Sequence, residues 1–194
     1  DKKLQPKINW TKAVLDYDKV FENITKYWKW NFLKTITVLN KLNYKEVEKT
    51  VDYLYGKGIK DMCISYPDMV RWHHSKKYFL DNIIIPYNKV IPHLEKAMKK
   101  AINHGVNTKT ENVPFCVFKD KNLIKNTEDY DFEHRLMVSA DNTWKILLLE
   151  KTYKSRVYTD KCDECVYKNK CWWIWEVYLE YLWSEELKPF KKII

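Results

Sequence analysis

Short β-branched runs alternate with segments of helical period from residue 17 to residue 118, and this alternation constrains the fold of the chain more than any other feature. In Tyr17–Trp30 the apolar residues Tyr17, Val20, Phe21, Ile24, Tyr27 and Trp28 recur at helical spacing, with Asp16 or Asp18 placed to cap the start. Leu33–Leu39 is β-branched and reads as a strand, and Asn40–Asn43 forms a polar turn. Lys45–Tyr55 is amphipathic, with Val47, Val51, Leu54 and Tyr55 on one face, and Gly56 and Gly58 punctuate its end. Ile59–Ser65 reads as a second strand, stopped by Pro67, and residues 66–86 as a long loop. A third helix is expected over Lys89–His104, with Pro92 in its first turn and Gly105 at its end. Val106–Thr110 and Val113–Phe118 then read as extended.

Strands alternating with amphipathic helices imply βαβ units and a parallel sheet, whose strands are buried on both faces. Three strands leave two open edges. The expected fold class is therefore α/β, with these strands forming part of a barrel or open sheet. Residues 119–160 are polar and weakly periodic, with one strand candidate at Trp144–Leu149. Cysteines cluster over 162–171, and a Trp- and Tyr-rich helix is expected over about 172–183. The division that follows is an α/β segment over 1–118 and an irregular Cys-rich extension over 119–194.

Composition narrows the function. No apolar run approaches the ~20 residues of a membrane span, and no secretory leader opens the chain, so a cytoplasmic protein is expected. The first residue is Asp1 rather than Met, which leads to the expectation that a preceding piece is missing. Three glycines in 194 residues leave almost no room for a Gly-rich phosphate cradle. The net charge of +9 raises the prior for a polyanionic partner, yet only three of the 35 basic residues are Arg (Arg71, Arg135, Arg156). A Lys-rich, Arg-poor surface attracts anions and reads little of their sequence.

Chemistry concentrates in the cysteines. Cys162, Cys165 and Cys171 stand in a C-x2-C-x5-C arrangement, in which a C-x-x-C turn lets two thiolates converge and a short loop brings a third. Cys116, just after Pro114 at a strand end, is the candidate fourth ligand. Four thiolates suit zinc or an iron–sulfur cluster equally by count. A disulfide framework and unengaged thiols are the competing readings. Cys63, inside the apolar run Met62-Cys63-Ile64, reads as a core residue. His73-His74 are solvated loop residues or metal ligands, His93 reads as surface, and Glu111 is a strand-end carboxylate. The run Trp172-Trp173-Ile174-Trp175 reads as a docked core element or as a stacking surface for nucleic acid.

Taken in order, Thr37-Val38-Leu39-Asn40-Lys41-Leu42-Asn43, then Gly58-Ile59-Lys60 and Ile64-Ser65-Tyr66-Pro67 resemble consecutive strands of radical S-adenosylmethionine (radical SAM) enzymes. Ile85-Pro86-Tyr87, Ile91-Pro92-His93-Leu94, Gly105-Val106 and Asn112-Val113-Pro114-Phe115-Cys116 are similar to the later helix and final core strand of that superfamily. Lys161-Cys162-x2-Cys165-x5-Cys171 and Glu186-Leu187-Lys188-Pro189-Phe190 resemble its tail segment. The family's C-x3-C-x2-C, which holds the catalytic [4Fe–4S] cluster, is absent, as is a Gly-Gly-Glu-like segment. The resemblance implies the C-terminal half of a partial (β/α)6 TIM-like barrel with a Cys-rich extension. It further implies the substrate side of an iron–sulfur enzyme working by radical hydrogen abstraction on a peptide, protein or RNA. Asn40, Ser65 and Tyr66 would line the cofactor cleft, and Cys116, Cys162, Cys165 and Cys171 would hold an auxiliary [4Fe–4S] cluster or zinc. S-adenosylmethionine binding would depend on a missing N-terminal half or a complementary subunit. The rival reading is a non-enzymatic, zinc-stabilised module that binds nucleic acid or protein.

Overall fold

The computed structural model describes residues 16–27, 33–69, 76–128, 155–171 and 173–191. Helix α1 (Tyr17–Tyr27) leads to strand β1 (Lys34–Val38), helix α2 (Val47–Gly56) and strand β2 (Asp61–Ser65). Helix α3 (Lys76–Asn82), helix α4 (Tyr87–Asn103) and strand β3 (Asn107–Glu111) follow. After residue 155 come strand β4 (Arg156–Val157), strand β5 (Ile174–Trp175) and helix α5 (Glu176–Leu182).

The three predicted strands pair in parallel in the order β1-β2-β3, with Ile36 opposite Cys63 and Cys63 opposite Lys109. Helices α2 and α4 turn into β2 and β3 through left-handed glycines, Gly58 at φ 83° and Gly105 at φ 70°. The residue after each glycine donates back to the helix, Ile59 N–H to Leu54 O and Val106 N–H to Ala101 O. An L side chain at either glycine would strain that reversal. The same turn used twice sets the spacing of β2 and β3 beneath α2 and α4.

Period-2 alternation divides the sheet. Met62 and Ile64 face the core that holds Val47, Val51 and Leu54 of α2 and Val90, Ile91, Leu94 and Met98 of α4. The opposite face carries Ile36, Val38, Cys63, Ser65, Lys109 and Glu111. Burial on both faces, expected of a parallel sheet, holds at β2 and fails at β1, where Ile36 is 60% and Val38 47% exposed.

The half-barrel expectation is corrected here. Among the described residues the parallel sheet stops at three strands, and its far edge meets only an isolated parallel bridge between Thr110 and Thr127. β4 and β5 form a separate antiparallel pair, so the architecture is a small open α/β sheet without barrel closure. Alternating strands and helices dictate parallel pairing; closure depends on strand number and stagger, which that pattern does not encode.

Other boundaries shift for local reasons. α4 begins at Tyr87 on the cap residue Pro86, so Pro92 lies inside the helix rather than in its first turn. The loop over 66–86 contains α3, and Val113–Phe118 contains a 3-10 turn at Phe115–Val117. The aromatic helix expected from residue 172 begins as β5 and becomes helical only at Glu176. Asp16 caps α1, its Oδ1 accepting from Lys19 N–H at 3.4 Å. The end of the first helix beyond Tyr27, His73-His74 and Trp144–Leu149 lie outside the described residues. No helix among the described residues is long and apolar enough to cross a membrane.

The tail shares the core of the sheet layer, contributing Ile174, Trp175, Tyr178 and Leu187. Glu95 of α4 clamps the loop beyond Cys116, its buried Oε1 accepting from Lys119 N–H at 2.6 Å and Asp120 N–H at 2.9 Å. Glu95→Ala strands two backbone donors and is expected to lower stability by about 2 kcal/mol or more. Glu95→Gln keeps an accepting oxygen and should recover most of that loss. Urea unfolding midpoints of the two variants make the check.

Candidate metal centre

Two distant stretches build the site. Cys116 is the middle residue of the Phe115–Val117 turn, and Pro114 before it is held extended at φ −64°, ψ 143°, so the chain leaves β3 and reverses at once. Cys162 ends a 3-10 turn over Asp160–Cys162, and Cys165 N–H bonds Cys162 O at 3.1 Å, the tight turn expected of C-x-x-C. Lys168 N–H to Cys165 O and Cys171 N–H to Tyr167 O at 2.8 Å continue the winding and bring the third thiol back. An isolated bridge between Cys165 and Lys191, with Val166 N–H on Phe190 O, ties these turns to the last described residues. Tyr167 packs edge-on against both Phe115 and Phe190, joining the two stretches with aromatic surface.

Cys116, Cys162, Cys165 and Cys171 all line one small cavity of about 20 Å³, room for roughly one water-sized body. Its other walls are largely apolar, with Phe115 and Trp173 prominent. All five cysteines of the chain are free thiols. Burial pushes the Cys116 thiol up to about 12, helped by the nearby thiols of Cys171, Cys162 and Cys165. Burial likewise raises Cys171 to about 11, partly offset by backbone N–H groups of Phe115 and Trp173. Phe115 N lies 3.5 Å from Cys171 Sγ, and Thr159 Oγ1 lies 3.6 Å from Cys162 Sγ.

No family model matches the chain, and no curated protein or solved structure is detectably similar to it. The chemistry therefore stands on the residues alone. Four thiols around one apolar cavity, met by N–H and O–H donors, make a donor set that suits a thiophilic metal. No group of three or more His, Cys, Asp or Glu among the described residues stands in the arrangement of a formed metal site.

The proposed cleft residues are differently employed. Asn40 is buried in its own turn, with Oδ1 accepting from Leu42 N–H at 2.8 Å and its N–H bonded to Asn43 Oδ1. Ser65 Oγ donates to Tyr66 O at 2.9 Å and accepts from Asn112 Nδ2 at 3.2 Å. Tyr66 is buried, its hydroxyl donating to Ile85 O at 2.6 Å. Ser65 and Tyr66 do meet at the carboxyl end of the sheet, where Asn112, at φ 65°, is the organising residue. Its Nδ2 also donates to Tyr66 O, its N–H reaches Glu128 Oε2 at 2.9 Å, and its Oδ1 accepts from Arg156 Nη2. The sequence signal for that role is an asparagine, a residue type that tolerates positive φ, just past a strand end and two residues before Pro114.

The remaining candidates are accounted for simply. Cys63 is buried on β2 with its thiol raised by burial and by Glu111. Glu111 stands 4.0 Å from Lys34 Nζ, and His93 packs edge-on against Tyr44. Of the Trp run, Trp172 lies outside the described residues, Trp173 packs on Tyr158 at 3.9 Å, and Trp175 is buried beneath the Arg156 guanidinium. Rings so engaged are poor platforms for bases.

Proposed function

We propose that this chain is a thiolate metalloprotein in which Cys116, Cys162, Cys165 and Cys171 hold one metal centre, either an auxiliary [4Fe–4S] cluster, for which the cavity of about 20 Å³ must widen, or a single zinc ion. In the wider form of the proposal it works as the substrate-side portion of a radical SAM enzyme, with the S-adenosylmethionine-cleaving cluster supplied from outside these residues. The observation that carries the reading is the convergence on one cavity of four thiols from two distant stretches of chain. When bound, such a cluster supplies one-electron chemistry. The chain's own residues hold the thiols, keep water away with Phe115 and Trp173, and donate hydrogen bonds to sulfur. The wider form is also supported by the parallel sheet whose carboxyl end, at Ser65, Tyr66 and Asn112, continues directly through Pro114 into the cysteine loop.

Anaerobic reconstitution with iron and sulfide tests the centre. The expected result is a brown protein with iron and sulfide bound in equal amounts and an EPR signal on reduction. Uptake of zinc alone would overturn the cluster and leave the zinc-stabilised binding module, and uptake of neither metal would overturn both. The radical assignment is tested on the full gene product by assaying reductive cleavage of S-adenosylmethionine to 5′-deoxyadenosine. A fully loaded protein that forms none would sink it.

A further inference from the structure

Three of the four thiols are met by donors from outside the ligand set. Cys171 faces the backbone N–H groups of Phe115 and Trp173, and Cys116 that of Lys188. Cys162 is met instead by a side chain, Thr159 Oγ1 at 3.6 Å. Thr159 is the cap residue of the Asp160–Cys162 turn, at φ −107°, ψ 166°. A threonine there ordinarily turns its oxygen inward to accept a backbone N–H of the turn. Here the hydroxyl makes no capping bond, and Cys162 N–H is taken by the carbonyl of Thr159 at 2.9 Å. The hydroxyl is thus spared from backbone duty and turned to the sulfur.

We infer that Thr159 is a positioning residue for the metal centre: its hydroxyl donates to the Cys162 thiolate, fixes that side chain toward the cavity and spreads its negative charge. The inference rests on the four-cysteine reading above. In the neutral pair either atom can donate; once metal binding has displaced the thiol proton to solvent, the hydroxyl is the sole donor. Outer-shell bonds of this kind orient a ligand and typically change metal affinity 10- to 100-fold.

Titrating the metal-free protein with Co²⁺, read by thiolate-to-metal absorbance, separates the possibilities. Thr159→Val should bind about tenfold more weakly than wild type, with half-binding displaced to higher pH, while Thr159→Ser restores the wild-type value. After iron and sulfide loading, the valine variant should also show a lower reduction potential, because the lost bond favours the more negative reduced state. Circular dichroism and melting of the metal-free forms should coincide; if the valine variant does not fold, Thr159→Ala takes its place. Wild-type affinity and potential in the valine or alanine variant, or no rescue by serine, would overturn the role of Thr159. A wild-type chain that takes neither Co²⁺ nor iron would overturn the metal centre itself.

Discussion

Cys116→Ser is expected to cost at least about a hundredfold in metal affinity and to remove the metal's link between the tail and the sheet layer. Cys116 is the only proposed ligand on the sheet side of the site, and the other three lie within a single stretch of turns. A metal bound to all four therefore cross-links β3's exit to the tail, and its binding free energy becomes folding free energy of that junction. At metal concentrations about a thousandfold above the dissociation constant, that linkage is worth about 4 kcal/mol. Removing the metal with a chelator should lower the wild-type melting temperature by clearly more than that of Cys116→Ser. Equal metal affinity in the two proteins would remove Cys116 from the ligand set. The pH dependence has a definite sign. Without metal, the folded thiols of Cys116 and Cys171 titrate at about 12 and about 11, above the ~8.5 of an unfolded cysteine. Their contribution to stability is fully present below about pH 8.5 and is lost as pH rises through 11 to 12. Metal binding demands thiolates, so affinity rises with pH across the neutral range, and the loaded protein should keep its alkaline stability where the metal-free form loses it.

Sequence patterning carries the sheet well and its limits poorly. The β-branched run at 34–38, the apolar run at 62–64 and the helical faces of α2 and α4 reveal themselves because packing against one shared core imposes their periods. Gly58 and Gly105 mark both helix-to-strand turns because only glycine adopts that backbone without strain. Nothing in this pattern says whether a parallel sheet closes, and the barrel inferred from resemblance gave way to an open three-stranded sheet. α3 escaped notice because seven residues after a loop give too few turns to show a period. β5 escaped because two-residue strands carry no periodicity at all, and the aromatic run that contains it also suits a helix.

At the site, C-x2-C-x5-C spacing and a cysteine after Pro114 were sufficient to nominate four residues that line one cavity. Their supporting donors were illegible. Backbone N–H groups at Phe115 and Trp173 have no residue signature, and Thr159 differs from any capping threonine only in the direction of its hydroxyl. Asn40, Ser65 and Tyr66 show the same limit. Ser65 and Tyr66 stand at the strand end that the sequence indicates, but the backbone carbonyls their hydroxyls bond there, Tyr66 O and Ile85 O, have no sequence signature.

Tyr178→Ala should be among the most destabilising single changes in the chain, at about 3–5 kcal/mol by the usual cost of deleting a buried aromatic ring. Tyr178 is fully buried, and its ring stacks on Tyr87 at 4.4 Å and meets Tyr66 edge-on at 6.3 Å. One side chain thereby joins α5, the first turn of α4 and the end of β2. Its hydroxyl accepts from Tyr87 N–H at 2.8 Å and donates to Glu186 Oε2 at 2.6 Å, so it caps α4 with a tail residue. Glu186 Oε2 also accepts Asn88 N–H at 3.2 Å, placing a carboxylate at the positive end of the same helix. Tyr178→Phe separates ring from hydroxyl. It keeps the stack, strands the Tyr87 donor and should cost about 1–3 kcal/mol. Chemical unfolding of the metal-free protein measures both variants, with hydrogen exchange at Tyr87 and Asn88 locating the loss. If the tail merely leans on the sheet layer, Tyr178→Ala will lower the unfolding midpoint no more than an exposed substitution does. If the tail is an integral layer of the core, the whole cooperative transition will shift, and the cysteine cavity will lose its wall at Ile174 along with it.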